Sequence, residues 1–374
     1  MLIASDQTPY HWQNLAEKIK AWGQSLGFQQ VGISDIDLGK HKDFLQGWLD
    51  RGYHGEMDWM RRHQPQRNAP DLLVPDAIRV ISVRMDYLPE NPRQIEILKN
   101  PQKAYISRYA LGRDYHKLIR KRLANLSKQI ISHCGSHPEI IHEVKQRPFV
   151  DSAPILEKAF AEKAGLGWIG KNTLLLNQSA GSWFFLGELI TNLPLPIDQS
   201  DPVNRCGSCD ACLSICPTDA FVKPYELDAT RCISYLTIEL KAPIPLEYRE
   251  PMGNRVFGCD DCQIICPWNK FAKPSKEADF SPRHQLDDAE LIRLFLWSES
   301  EYLQYTEGSA IRRIGYERWL RNLAVGLGNV EPCAEVAQAL EQRRNFPSIL
   351  VREHIEWAIA QQHRDRRKAR KIKR

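Results

Sequence analysis

Apolar residues recur at helical spacing from Trp12 to Leu26 and stop at Gly27, which predicts an amphipathic helix. Gln30 to Ser34 predicts a short strand, and Lys40 to Arg51 a second helix closed by Gly52. Arg79 to Met85 (RVISVRM) is rich in strand-forming residues, and Pro89 and Pro92 interrupt the chain just after it. Asp114 to His133 predicts a long helix with Leu118, Leu123, Leu126, Ile130 and Ile131 near one face. A helix is also predicted from Ile155 to Ala164, and strands at Ile140 to Val144, Thr173 to Leu176 and Trp183 to Ile190. Helices and strands interspersed in this way predict an α/β or α+β layered domain over residues 1–197.

The pattern changes after Pro194, Pro196 and Pro202, where cysteines take over from apolar periodicity across residues 198–275. Beyond Pro267 it is helical again, with helices predicted at Ala289 to Trp297, Tyr316 to Leu327, Pro332 to Arg343 and Ser348 to Gln362. In the second of these, Trp319, Leu320, Leu323, Ala324 and Leu327 form one apolar face and Gly328 ends it. Short helices joined by tight turns predict an all-α, HEAT-like stack over residues 276–363.

Composition adds little until the charge is located. The 374 residues are 43% hydrophobic and 26% charged, ordinary for a globular protein of two or three domains. The net charge of +5 lies in the tail, 364–374, which holds eight Lys or Arg and one Asp. The rest of the chain is close to neutral. Such a tail reads equally as a solvated segment or as an arm for nucleic acid. Met1 to Gln13 shows neither the basic nor the apolar part of a secretory signal, and no apolar run reaches membrane-spanning length. A cytoplasmic protein without a membrane partner is expected.

The strongest chemical signal is Cys206-x-x-Cys209-x-x-Cys212-x-x-x-Cys216-Pro217, then a solitary Cys232, then Cys259-x-x-Cys262-x-x-x-Cys266-Pro267. Eight thiolates fill two 4Fe–4S clusters. In the bacterial ferredoxin pattern three closely spaced cysteines hold one cluster, and the fourth is handed to the other. The expected sets are therefore Cys206, Cys209, Cys212 and Cys266 for the first cluster, and Cys216, Cys232, Cys259 and Cys262 for the second. A pair of four-cysteine zinc sites is the competing reading, but three cysteines spaced two apart crowd a single metal. A disulfide framework suits neither the length nor the missing leader. Cys134 and Cys333 are left over as buried thiols.

Two other stretches invite chemistry. Gly165-Leu-Gly167-Trp-Ile-Gly170 spells a dinucleotide fingerprint, yet it follows a helix and precedes a strand, the reverse of what pyrophosphate binding needs. With Lys171 it nearly spells a phosphate loop, but Asn172 stands where a hydroxyl belongs. It reads as a helix cap and tight turn that brings backbone close to a ligand. Asp151, in Phe149-Val-Asp-Ser-Ala-Pro154, reads either as a simple helix cap or as a proton donor beside a pocket. Asp114-Tyr-His116 starts like a cobalt-ligating loop, but lacks its glycine and sits in a helical pattern, so His116 reads as an ordinary helix residue.

Taken together, Val150 to Pro154, Glu162 to Asn172, Gly181 to Glu188, the cysteine ladder with Arg231-Cys-Ile-Ser234, and Arg321 to Asn329 resemble the epoxyqueuosine reductases. The likeness covers roughly residues 10–360. It implies reduction of an epoxide on a modified tRNA base to an alkene, the last step in making queuosine, with two 4Fe–4S clusters, a cobalamin and Asp151 as proton donor. It implies cobalamin contacts at Arg67, Ser107, Asp151, Asn172, Leu175 and Asn269. It further implies a monomer that takes electrons from an external low-potential donor and binds tRNA carrying epoxyqueuosine. Competing readings are a ferredoxin-type electron-transfer subunit, a corrinoid enzyme like the reductive dehalogenases, and a zinc-stabilised RNA-binding protein.

Overall fold

A four-stranded antiparallel sheet organises the first half of the chain. Its order is Gln30–Asp35, Arg79–Asp86, Phe184–Thr191, Gln146–Phe149. The computed structural model describes residues 11–140, 143–200 and 203–364, so the basic tail beyond Arg364 lies outside the described residues. With all neighbours antiparallel, the layered domain is α+β rather than doubly wound. The expected strand from Ile140 to Val144 is not found among its described residues. There the Asn192 side chain serves the backbone instead, accepting from Lys145 N at 2.9 Å and donating to Glu143 O at 2.8 Å. Pairing starts later, on an edge strand that tolerates Pro148.

Both central strands are covered on two faces. Ile81, Val83, Met85, Phe185 and Leu189 pack under the helices Trp12–Ser25 and Tyr115–Gly135. Val80, Phe149 and Ile190 pack with Ala159 and Phe160 of the helix Glu157–Lys163. The long helix lies tight on the sheet at Gly187, where an added Cβ would stand 2.8 Å from Ile119. That helix buries Tyr115, Ile119, Leu123, Leu126, Ile130 and Cys134, and its face is rotated from the predicted one. Ile131 is 47% exposed. Cys134 is buried as expected, whereas Cys333 is only half-buried.

The cysteine stretch carries two four-residue helices, Ala211–Ser214 and Asp261–Ile264, and a small hairpin, Phe221–Lys223 with Glu226–Leu227. Its strand Arg255–Phe257 pairs in parallel with Tyr105–Ile106 from the first half. Ala104, Ile106, Ala110 and Leu111 then join the core of the C-terminal helices. The first half therefore threads through both later regions.

The C-terminal helices are Leu291–Phe295, Glu299–Tyr305, Gly315–Gly328, Ala334–Gln342 and Ile349–Gln362. Gly315–Gly328 is buried nearly all round, not on one face. Arg321 donates to the carbonyls of Leu236 (2.7 Å), Leu240 (2.8 Å) and Ala242 (2.9 Å). Asn322 donates to those of Thr237 and Val256. No helix among the described residues is long and apolar enough to cross a membrane.

His354, fully buried in the last helix, accepts from the backbone N–H of Ile244 at 3.1 Å. Burial, aided by the charge of Arg249, pushes its pKa down to about 3. The unfolded chain therefore takes up a proton near the ordinary histidine value while the folded one does not, and stability falls with pH below that value. Lowering the pH from 7 to 5 should cost about 2 kcal/mol through this group. Other groups titrate over the same range, so the difference is the readout: on going from pH 7 to 5 the stability of His354→Gln, from denaturant midpoints, should change more favourably than that of the wild type by about this amount.

Candidate active site and cluster centres

All eight cysteines of the ladder are free thiols. Cys206, Cys209, Cys212 and Cys266 line one cavity of about 290 Å³. The Cys212 thiol is pushed up to about 11 by burial and then by the charges of Cys266, Cys206 and Cys209. Cys216, Cys232, Cys259 and Cys262 are the expected second set. Burial raises Cys232, Cys259 and Cys262; Cys232 also feels Cys216, Cys259 feels Asp261 and Cys232, and Cys262 feels Cys232, Asp260, Cys212 of the first set and Cys216. Among the described residues, no three His, Cys, Asp or Glu side chains converge at single-ion spacing. Two rings of four soft donors suit iron–sulfur cubes. The Ala220 N–H points at Cys216 Sγ, 3.3 Å away, a contact of the type that tunes cluster potential.

The glycine-rich turn approaches the cysteine loops rather than a nucleotide. Gly165 takes a left-handed φ of 75° at the end of Glu157–Lys163, and Trp168–Ile169 pairs with Leu175–Leu176 as a hairpin. At its tip Lys171 Nζ donates to the carbonyls of Gly207 (2.7 Å) and Cys209 (2.8 Å). Next to it Asn172 Nδ2 donates to Cys262 O at 3.2 Å, and Leu175 is buried beneath the hairpin. Asn269 accepts from Ser182 N at 2.6 Å and donates to Gln263 O at 2.6 Å. Ser107 donates to Asp260, which also accepts from Tyr105 Oη and Arg108 N, each at 2.8 Å. Ser107, Asn172 and Asn269 thus all grip the turn from Asp260 to Gln263.

Asp151 lies across from that seam at the end of Gln146–Phe149, in a left-handed conformation that Asp tolerates (φ 44°). Its side chain is 45% exposed. It does not cap the following helix. Its Oδ2 accepts instead from Tyr115 Oη at 2.5 Å and from His116 Nε2 at 2.9 Å. Both donors stand on the first turn of Tyr115–Gly135, whose N-cap, Asp114, accepts from the backbone N–H of His116. The same Asp114 carboxylate lies 2.7 Å from His116 Nδ1. His116 is therefore no ordinary helix residue, and both its ring nitrogens are engaged. Tyr115 is fixed by stacking on Phe185, 3.9 Å between centroids.

The remaining predicted residue, Arg67, donates to the carbonyls of Ala153 (3.3 Å) and Ile155 (3.2 Å) and so holds the loop behind Asp151. Glu157 accepts from Asp151 N, and the buried Glu188 faces Glu157 from the sheet. Tyr109 packs between Tyr115 (ring centroids 6.1 Å) and Phe257 (6.2 Å), and burial raises its phenol well above the ordinary value.

Electrostatics separates these groups. Burial opposes ionisation of Asp151, but the hydrogen bonds from His116 and Tyr115 and the charges of His116 and Arg313 hold it below the usual carboxylate range. Burial would lower His116, but the hydrogen bonds and charges of Asp114 and Asp151 push it up to about 9. Burial, then the charge of Asp151, pushes Glu157 up to about 8, and Glu188 is raised well above its ordinary value by burial and Glu157. Tyr115, His116, Glu157 and Glu188 were not singled out from sequence. Only Asp114-Tyr-His116 carried a signal, and it pointed to cobalt.

Residues 67–152 match the family described as epoxyqueuosine reductase QueG, DUF1730, and residues 205–269 match the 4Fe-4S double cluster binding domain. The chain is 62% identical to an epoxyqueuosine reductase of Pseudomonas aeruginosa, over 96% of this chain and 97% of that one. It is 58% identical to that of Escherichia coli, over 95% and 91%. Among solved structures, an epoxyqueuosine reductase with an epoxyqueuosine-modified tRNA-Tyr stem loop superposes with a TM-score of 0.83 at 28% identity, covering 95% of this chain and 92% of that one. The Streptococcus thermophilus enzyme gives 0.81 at 25%, covering 96% and 94%.

Cluster assignment is testable residue by residue. Cys232→Ser should lower bound iron from about eight to about four per chain, leaving one cube's signal in electron paramagnetic resonance. Cys209→Ser should lose the other four.

Proposed function

The chain belongs to the epoxyqueuosine reductase family, and we propose that it reduces the epoxide of epoxyqueuosine in tRNA to the alkene of queuosine, with Asp151 as the proton donor. The reaction consumes two electrons and two protons and releases the epoxide oxygen as water. The observation that carries the reading is the position of Asp151: one half-exposed acid, held by Tyr115 and His116, across a seam from two sets of four thiols.

The cofactors are two 4Fe–4S clusters and cobalamin. The eight free cysteines fit the clusters in number and donor type. For cobalamin, Gln66 Oε1, Arg67 Nε and Asn68 Oδ1 are buried without a hydrogen-bond partner in the described structure. Three successive orphaned polar atoms beside the Asp151 loop suit a ligand edged with amides. Arg67, Ser107, Asp151, Asn172, Leu175 and Asn269 are the residues that would hold it, several by shaping the backbone on either side of the seam. When bound, these groups supply electrons one at a time from an external low-potential donor and a low-valent cobalt able to reduce carbon.

The protein's own residues do the rest. Asp151 presents Oδ1 to the departing oxygen, Tyr115 and His116 stabilise the carboxylate left behind, and Arg67 keeps the loop in place. The C-terminal helices, read as a HEAT-like stack, and the basic tail offer the tRNA its surface, with salt-sensitive affinity. We read the enzyme as a cytoplasmic monomer divided at residues 197, 275 and 363.

The test is anaerobic purification from cells supplied with cobalamin, metal analysis, and turnover of an epoxyqueuosine-bearing stem loop. About eight iron and one cobalt per chain are expected. Asp151→Asn should retain both metals and lose about 10²–10⁴-fold in kcat. Iron without cobalt after reconstitution, or full activity of Asp151→Asn, would refute the assignment.

A further inference from the structure

Converting an epoxide to an alkene consumes two protons at one oxygen: the first as one C–O bond breaks, the second as the oxygen leaves as water. Asp151 carries one proton at a time, so the site must recharge it within a turnover. The inference rests on the reading of Asp151 as donor.

We propose that His116, held between Asp114 and Asp151, recharges Asp151 and thereby delivers both protons. The geometry requires an imidazolium. Nδ1 lies 2.7 Å from Asp114 Oδ1 and Nε2 lies 2.9 Å from Asp151 Oδ2, so each ring nitrogen faces a carboxylate and each must carry hydrogen to bond it. In each cycle the Nε2 proton passes to Asp151 Oδ2. Rotation about Cβ–Cγ brings the protonated oxygen to the substrate side, and the proton moves to the oxygen that is gaining electrons. Neutral His116, still donating through Nδ1 to Asp114, then takes a new proton from water through its own 17% exposed side chain. Two such transfers and two electrons from the external donor convert the epoxide oxygen to water and leave the carbon–carbon double bond. His116 acts through Asp151 and needs no contact with substrate.

Alternative proton sources are less well placed. Tyr115 bonds the same Oδ2, but burial raises its phenol well above the ordinary value, so it stabilises Asp151 without giving up its proton. Glu157 bonds the Asp151 backbone N–H, not its carboxyl, and Glu188 stands behind Glu157. Arg313 contributes charge alone, and so does buried Tyr109 if it ionises. With His116 raised to about 9, it is charged at neutral pH and loses its proton as pH rises past that value.

The test uses the full holoenzyme. Wild-type kcat should fall above pH 9, whereas His116→Gln should be slowed about 10²-fold and lack that limb. Glu157→Gln must keep the limb, since Glu157 titrates nearer 8. Nuclear magnetic resonance of histidine-labelled protein should show His116 titrating about two units above free histidine, and lower in Asp114→Asn. His116→Ala should regain rate with added imidazole in proportion to imidazolium. Should His116→Gln fail to fold, Asp114→Asn still tests the idea by moving the alkaline limb down. If Asp151→Asn is inactive while His116→Gln keeps both rate and limb, or imidazole restores nothing, the recharging role is wrong and the donor role stands. If Asp151→Asn is active, the functional reading itself fails.

Discussion

Asp260 is the interaction on which the assembly turns. It is 1% exposed, lies between two cluster cysteines, and accepts from Tyr105, Ser107 and Arg108 of the first half. A buried carboxylate is tolerated only when its oxygens are fully served, and removing one donor leaves an uncompensated charge. Its hydrogen bonds fix the parallel pairing of Tyr105–Ile106 with Arg255–Phe257 and seat the first half's backbone against the cluster loop. Lys171, Asn172 and Asn269 reinforce the same seam from the glycine-rich hairpin and from the residues after Cys266.

The acid on the other side of the seam is assembled from separate places. A strand end carries Asp151, the first turn of a helix carries Tyr115 and His116, a neighbouring helix carries Glu157, and Arg313, paired with Glu239, adds its charge from the C-terminal region. The result is a graded set of acids within a few side chains of one another. Asp151 is pulled down, His116 is raised, and Glu157 and Glu188 are raised by burial and by each other. Such spreading of pKa values gives different protonation states to groups that would otherwise titrate together.

The double-cluster character of the cysteine stretch was legible because ligand spacing is a local property of sequence, and the solitary Cys232 completes a count of eight. Secondary structure was legible where apolar periodicity ran long, as in Trp12–Ser25 and Arg79–Asp86. It failed at Ile140 to Val144, where the Asn192 side chain replaces strand pairing. It also failed in the orientation of the long helix, where Ile131 faces outward. Buried Arg321 and Asn322 look like surface residues in a sequence, and only their carbonyl partners some eighty residues earlier explain them. His116 was misread for the same reason, since its meaning depends on a carboxylate 35 residues away.

Arg321 and Asn322 have a consequence for how the protein is made. They hold the carbonyls at the end of Ile233–Ile238, the helix that begins just after Cys232. Until the helix Gly315–Gly328 has been synthesised, those carbonyls lack their partners and the solitary ligand lacks its support. Cys266, which completes the other set, also precedes that helix. Every thiol of the ladder therefore leaves the ribosome before the helix that supports Ile233–Ile238 exists. The support for the ladder is complete only in a nearly full-length chain.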